Sequence, residues 1–419
     1  MPTDSPALPP SFPPLNAERL WARVETLARY TLPDQPWTRR AFSPLFLEAR
    51  EWLRGEFEAA GLTTRLDAGG NLIGTRAGRN AQRKPIATGS HCDTVMSGGR
   101  FDGIIGVLAG IEVAHTMQEH GITLDHPFEV IDFLSEEPSD YGISCVGSRA
   151  LCGQLSADML AARNPQGETL AQGIARIGGD PAALNAPLRR AGETAAFVEL
   201  HIEQGPRLID QGLQIGLVKS IVGQRRYTVT VKGIANHAGT TPMNDRADAL
   251  QHAVDLIVTL REQARRLNPD LTFTVGEMHI SPNTSNVIPG LVTFTVDCRN
   301  SDEAVLDQFE RLLQQTVTAP GNPQITSSAD RWAKSDVTLL DRQLLENNQA
   351  IANQLGFKSF QLASGAGHDS QIMAKHTRTT MIFVPSINGI SHAPAENTSQ
   401  EDLLRGVELL AASLHQQAY

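Results

Sequence analysis

Strand-like and helix-like runs take turns along this chain, and few architectures accept that rhythm. Ser43 and Pro44 read as an N-cap and a first helical position. After them Phe46, Ala49, Leu53, Phe57 and Ala60 fall on one helical face, and Gly61 ends the run. A turn at DAGGN (67–71) follows. Next come a short strand at 86–88, a helix over 103–119 that is apolar in its first turns, and a strand at 128–134. Further strands are expected at 197–200 and 381–384. Strands alternating with helices predict an α/β domain, a mixed and mostly parallel sheet with helices on its faces.

A middle segment has a different texture. RRYTVTVKG (225–233), LTFTVGEMHI (271–280) and LVTFTVDCR (291–299) each alternate with period two, as half-exposed strands do. Helices are expected at 246–267 and 302–317. That order predicts an inserted α+β domain over 214–328, with 1–213 and 329–419 forming the other domain. A length of 419 residues accommodates this division.

The formal charge of −10 argues against nucleic acid as a partner. Cys92, Cys145, Cys152 and Cys298 form no CxxC pair and read as reduced thiols. MPTDSPALPPSFPPLN lacks the basic start and apolar run of a signal peptide, and reads as a flexible leader. The longest apolar stretch, GIIGVLAGIEVA, falls short of the roughly 20 residues a membrane span needs. A cytoplasmic enzyme or binding protein, with no membrane contact, fits these facts.

Four clusters of metal-ligand types follow predicted strands. His91 and Asp102 lie in GSHCDTVMSGGRFDG (89–103), Glu136 and Glu137 follow the strand at 128–134, His201 closes the strand at 197–200, and His392 follows 381–384. Ligands of open α/β sheets bind at the carboxyl ends of strands, so the four pieces converge. Imidazoles and carboxylates without cysteine suit zinc, manganese, cobalt or nickel. One carboxylate can bridge two ions, and paired ions polarise a carbonyl and supply hydroxide near neutral pH. One of Glu136 and Glu137 can coordinate while the other serves as general base. Asp93 is placed to hydrogen-bond the His91 imidazole.

These residues carry a resemblance. GSHCDTVMSGGRFDGIIGVLAGIE, EE followed by VGSRAL, VELHIEQGPRL, GIANHAGTTPMNDRADAL, NVIPG, VDCR, SGAGHDS and FVPSINGISHAPAE run over most of the chain. Together they resemble the metal-dependent amidohydrolases of the aminoacylase/carboxypeptidase superfamily, hydantoinase/carbamoylase branch. That branch includes N-carbamoyl-L-amino acid hydrolases, β-ureidopropionases and allantoate amidohydrolases. The resemblance implies two divalent ions, zinc or similar. His91 and His392 would be terminal ligands of different ions, with Asp102 bridging. Glu137 would join one site and His201 the other, and Glu136 would be the general base. The inserted domain would be a lid and homodimerisation domain, with His237 stabilising an oxyanion, often in the partner subunit's site. Asn286 and Arg299 would bind substrate, and Gln204 and His368 would complete the pocket. Arginine suits an amino-acid carboxylate because its guanidinium donates two parallel hydrogen bonds.

The implied reaction is hydrolysis of an N-carbamoyl (ureido) amino acid by a metal-bridged hydroxide. The same machinery would also serve N-acyl amino acids or dipeptide-like amides. A binding protein with a degenerate site is the reading from another class. One departure bears on substrate: Pro138-Ser139-Asp140-Tyr141 stands where many relatives carry a Gly-Ser-Arg-Phe-like run, so an acid replaces a base.

Overall fold

A computed structural model describes residues 12–419. The first eleven residues, where most of the leader was expected, lie outside that range. The described chain divides into two compact units. One runs through Lys219 and resumes from Leu339 to Tyr419, and the other is Ser220–Thr338.

At the centre of the first unit's sheet, four strands run parallel in the order Phe128–Phe133, Ile86–His91, Ala196–Ile202 and Thr379–Val384. Leu72–Arg76 and Thr63–Leu66 flank them on one side and Ile215–Ile221 on the other, all antiparallel. Every residue of the four central strands is buried, which requires cover on both faces. Ile86, Val130, Val198, Leu200, Ile382 and Val384 share one core with the helices Ile104–Glu119 and Gln400–Gln417. Ala87, Ile131, Phe133 and Phe197 point the other way and meet Ile372 and Met373 of the helix Asp369–Met373.

The helix Ile104–Glu119 lies flush on the strands because Gly106 and Gly110 face them. A Cβ at 106 would sit 2.4 Å from the Leu200 carbonyl oxygen, and one at 110 would sit 2.7 Å from Val130 Cγ1. Its buried Glu112 accepts Arg19 and Arg23 at 2.7 Å each, so the helix Ala17–Ala28 docks by pairing a charge that would otherwise be stranded. The expected capped helix forms as Pro44–Ala59, with Ser43 Oγ accepting from Phe46 N. No helix among the described residues is long and apolar enough to cross a membrane.

The second unit is an antiparallel sheet ordered Met278–Ser281, Leu291–Asn300, Gly223–Lys232, Thr326–Ser335, with Thr272–Thr274 also paired to Leu291–Asn300. Period two sorts its faces. Tyr227, Val229, Val231, Val292, Phe294, Val296 and Cys298 pack under the helices Ala249–Leu267 and Glu303–Val317. Arg226, Thr228, Thr293, Thr295, Asp297 and Arg299 take the opposite face, half-exposed.

Two expectations change. The single strand at 271–280 is two short strands interrupted at Val275–Glu277, around Gly276. The boundaries at 213/214 and 328/329 move to 219/220 and 338/339. Ile215–Ile221 pairs in the first sheet, and Thr326–Ser335 belongs to the second. The latter strand, TSSADRWAKS, is an edge, and a polar edge lacks the apolar alternation that marks a strand. All four cysteines are free and buried.

Candidate metal centre

The carboxyl ends of the four central strands bring their polar residues together. Asp102 lies between two imidazoles: His201 Nε2 is 3.1 Å from its Oδ1, and His392 Nε2 is 2.9 Å from its Oδ2. His392 Nε2 also reaches Glu137 Oε1 at 3.1 Å. Two sets result, His91 with Asp102 and His201, and Asp102 with Glu137 and His392. Within each set the potential ligand atoms lie within 4.8 Å of one another. Asp102 belongs to both. Glu136 belongs to neither, with its Oε2 3.6 Å from His91 Nε2.

The donor chemistry fits divalent cations. Burial works against the charge on Asp102, yet the hydrogen bonds from His201 and His392 outweigh it and hold the carboxyl well below the usual range. The bonds to Asp102 and Glu137 push His392 up to about 11. Positive charge is therefore favoured between these carboxylates, as a divalent cation would supply it. A third set, Glu199 with His201 and His368, is also compact. Its carboxylate is already engaged, because Ser90 Oγ donates to one oxygen and Ser370 N and Oγ donate to the other.

The backbone is shaped around the cluster. Gly103 has φ +70, and a Cβ there would stand 2.2 Å from His91 Nε2, so this position needs glycine twice over. Ser135, Cys145, Gln204 and His392 are non-glycine residues at φ between +51 and +58. Such conformations cost about 1–3 kcal/mol each and persist where surrounding structure imposes them.

Each expected residue has a definite place. His91 Nδ1 bonds the main-chain carbonyl of Asp93 at 3.0 Å, while the Asp93 carboxylate stands 3.6 Å away. That carboxylate instead accepts Glu136 N and Glu137 N, at 3.3 and 3.2 Å. Asp93 thus steadies the imidazole mainly through its backbone and holds the glutamate loop with its side chain. Glu136 is buried; burial first, then Glu137, Asp369 and Asp93, raise its carboxyl well above the usual range, against His91. The Cys145 thiol donates to Glu136 Oε1 at 3.5 Å. Cys92 packs in the apolar core and joins none of the ligand sets.

Gln204 is drawn into the cluster, with Nε2 3.0 Å from Asp102 Oδ2 and 3.3 Å from His392 Nε2. Its Oε1 is buried without a hydrogen-bond partner. His368 is buried against His201, with ring centroids 4.5 Å apart and Nε2 2.9 Å from Ser364 Oγ. Burial, then His201, keep it neutral by lowering its pKa well below the ordinary histidine value. Asp140, the acid in the departing segment, points outward to Arg40 Nη2 at 3.2 Å, and Tyr141 donates to Glu168.

His237, Asn286 and Arg299 belong to the second unit. His237 is exposed, and its Nδ1 accepts Gly239 N and Thr240 N at 3.1 and 3.2 Å. The Asn286 carbonyl accepts Ala238 N, beside the two-residue pairing of His237 with Val287. The Arg299 guanidinium rests on Asp297, with Nε 3.1 Å from Oδ1 and a terminal nitrogen 3.2 Å from Oδ2.

Two carboxylates escaped the sequence reading. Glu199 stands two residues before His201 in a wholly buried strand, and an acid in such a strand is itself a signal. Glu396, 1% exposed, accepts Phe101 N, Asp102 N and Ser391 Oγ.

The profile of peptidase family M20/M25/M40 matches residues 87–416. The N-carbamoyl-L-amino acid amidohydrolase of Geobacillus stearothermophilus is 37% identical over 408 residues, 96% of this chain and 99% of that one. The allantoate amidohydrolase of Escherichia coli is 38% identical over 387 residues, 91% of this chain and 93% of that one. Among solved structures, an amidase of the hydantoinase/carbamoylase family from Burkholderia multivorans superposes with a TM-score of 0.90. It is 34% identical, with 97% of this chain and 98% of that one covered.

Proposed function

The chain belongs to peptidase family M20/M25/M40, and from that premise we propose that it hydrolyses the carbamoyl C–N bond of an N-carbamoyl amino acid or a related ureido acid. The observation that carries the chemistry is the sharing of Asp102 between two ligand sets, with Glu136 beside them and in neither. The ureido substrate class rests on the names of relatives aligned over nearly the whole chain.

The family is metal-dependent. His91, Asp102 and His201 would hold one divalent ion, and Asp102, Glu137 and His392 a second, zinc by preference and manganese, cobalt or nickel as alternatives. Such ions, when bound, polarise a carbonyl and make a water acidic enough to attack it near neutral pH. Glu136 would take a proton from the attacking water and pass it to the leaving nitrogen. Asp93 holds the Glu136 and Glu137 amides and so keeps the base and the ligand in fixed relation.

His237 is suited to an oxyanion. A neutral imidazole whose Nδ1 accepts two N–H bonds carries its proton on Nε2, which makes Nε2 a donor. Arg299, held by Asp297, is assigned to a substrate carboxylate, with Asn286, Gln204 and His368 as further pocket groups. The second unit serves as lid and homodimer surface. His237 would then act in the partner subunit's site.

The test is a panel of ureido and N-acyl acids with zinc, manganese, cobalt or nickel added, read by both ammonia and amine release. Ureido hydrolysis yields amine, ammonia and carbon dioxide. Amine release without ammonia, confined to the N-acyl acids, would overturn the proposed substrate class.

A further inference from the structure

We propose that Glu396 is a positioning residue, a buried carboxylate that locks together the two segments carrying Asp102 and His392. The inference rests on the reading above that these two side chains hold a divalent ion.

Asp102 and His392 are 290 positions apart in sequence, and neither sits in a regular element. Asp102 is in the turn before a helix. His392 is in an irregular loop with φ +53 and a side chain 48% exposed. Yet carboxylate and imidazole meet at 2.9 Å. Glu396 spans the gap between their backbones. Its Oε1 accepts the main-chain N–H groups of Phe101 and Asp102 at 2.9 and 3.0 Å, and its Oε2 accepts Ser391 Oγ at 2.8 Å. One side of the clasp fixes the peptide that bears Asp102, and the other fixes the residue next to His392. With three donors converging on it, the buried carboxylate stays satisfied, whereas truncation would leave those donors unpaired.

Gly99 supplies a second, independent observation. A Cβ on Gly99 would lie 1.8 Å from Glu396 Oε1 and 2.2 Å from Oε2, and the three nearest heavy atoms are all in that carboxylate. The φ of Gly99 lies outside the left-handed region, so backbone conformation does not require glycine there. The space taken by Glu396 does. The second glycine of SGGRFDG is therefore part of the clasp.

The experiment uses zinc-loaded protein and four variants: Glu396→Ala, Glu396→Gln, Gly99→Ala, and the Glu396→Ala/Gly99→Ala double. Zinc per chain is measured by mass spectrometry after equilibration with graded chelator, and thermal unfolding is followed on the fully chelated chains. Loss of an outer hydrogen-bond partner costs about 10–100-fold in metal affinity. That loss is expected for Glu396→Ala and for Gly99→Ala, which leaves the carboxylate present but pushes it aside. Glu396→Gln can still accept both N–H groups with its oxygen and donate to Ser391, so it should stay within about tenfold of wild type. In the double variant the methyl added at position 99 has nothing to strike, so it should bind zinc no more weakly than Glu396→Ala alone. Wild-type affinity in both single alanine variants would overturn the clasp. So would additive losses in the double variant, or lower unfolding temperatures of the chelated chains with zinc binding unmoved. A wild-type chain that binds no zinc would instead remove the metal reading itself, and the clasp with it.

Discussion

The two units both carry charged and imidazole side chains, but hold them in opposite ways. At the strand ends of the first unit, Asp102, Glu136, Glu137, His91, His201 and His368 are buried, and each is tied to at least one neighbour in the cluster. On the polar face and loops of the second unit, His237 and Asn286 are exposed and Arg299 is half-exposed. Buried charge persists only when paired, so the first cluster is arranged before anything binds. Exposed groups meet no such demand. If they meet a substrate as proposed, mutation there should reach rate and affinity while leaving the fold nearly alone.

The largest expected effect is on turnover. Glu136→Gln should lower kcat by about 10²–10⁴-fold with metal content unchanged, because the base lies outside both ligand sets. Near wild-type kcat, measured on the metal-loaded variant, would remove Glu136 from the reaction.

The sharpest test of the contrast is stability. Arg50 is buried and donates from Nε to Asp132 Oδ2 at 2.7 Å, from one terminal nitrogen to the Gly70 carbonyl and from the other to that of Asp132. Arg50→Ala should cost about 3–5 kcal/mol by leaving Asp132 buried alone. Arg226, on the sheet face with Asp297, should cost under about 1 kcal/mol in the same denaturant assay. Equal losses would break the comparison.

His237→Ala should slow turnover by about 10²–10³-fold, the usual consequence of losing one oxyanion donor, with the unfolding temperature unchanged. Mixing it with Glu136→Gln should restore part of the activity if His237 serves the partner's site. Verified subunit exchange without recovery would confine the residue to its own chain.

Arg299→Lys should raise KM by about tenfold for carboxylate-bearing substrates and leave kcat nearly untouched, since lysine cannot present two parallel donors. A fall in kcat at constant KM would point away from ground-state carboxylate binding.

The smallest effect concerns a surface cluster of the first unit. Arg176, then Tyr141, hold the Glu168 carboxyl down to about 2. A depressed carboxyl contributes stability above its unfolded pKa, near 4.3, and loses it as pH falls from there toward about 2. Glu168→Gln should therefore lower the unfolding temperature slightly at pH 6 and not at all near pH 2. A difference that grows on acidification would contradict that sign.

Much of this was legible in the primary sequence. Ligand-type residues following apolar strands singled out His91, Asp102, Glu136, Glu137, His201 and His392, and the fold brings them to one edge because parallel strands end there. Period two sorted the second sheet's faces. Other features had no local signature. Asp93 was expected to hydrogen-bond the His91 imidazole, and no sequence pattern shows that its main-chain carbonyl is the group that does so. The edge strand Thr326–Ser335 shows little apolar alternation, so the domain boundary was drawn inside it. The contacts of the Gln204 amide with Asp102 and His392 likewise have no local signature.

The sequence by itself determined the alternation that makes a parallel core, the inserted sheet, and which residue types crowd the strand ends. These depend on periodicity and on chemistry carried within a few positions. Residue chemistry alone left open which carboxylate is shared; the resemblance implied Asp102, and the structure sets Asp102 in both candidate sets and Glu136 in neither. Only the tertiary structure placed Glu199 between Ser90 and Ser370, and Glu396 between Asp102 and Ser391. Hydrogen bonds act over about 3 Å and are indifferent to separation along the chain, so partners from distant parts of the sequence appear only once the strands are side by side.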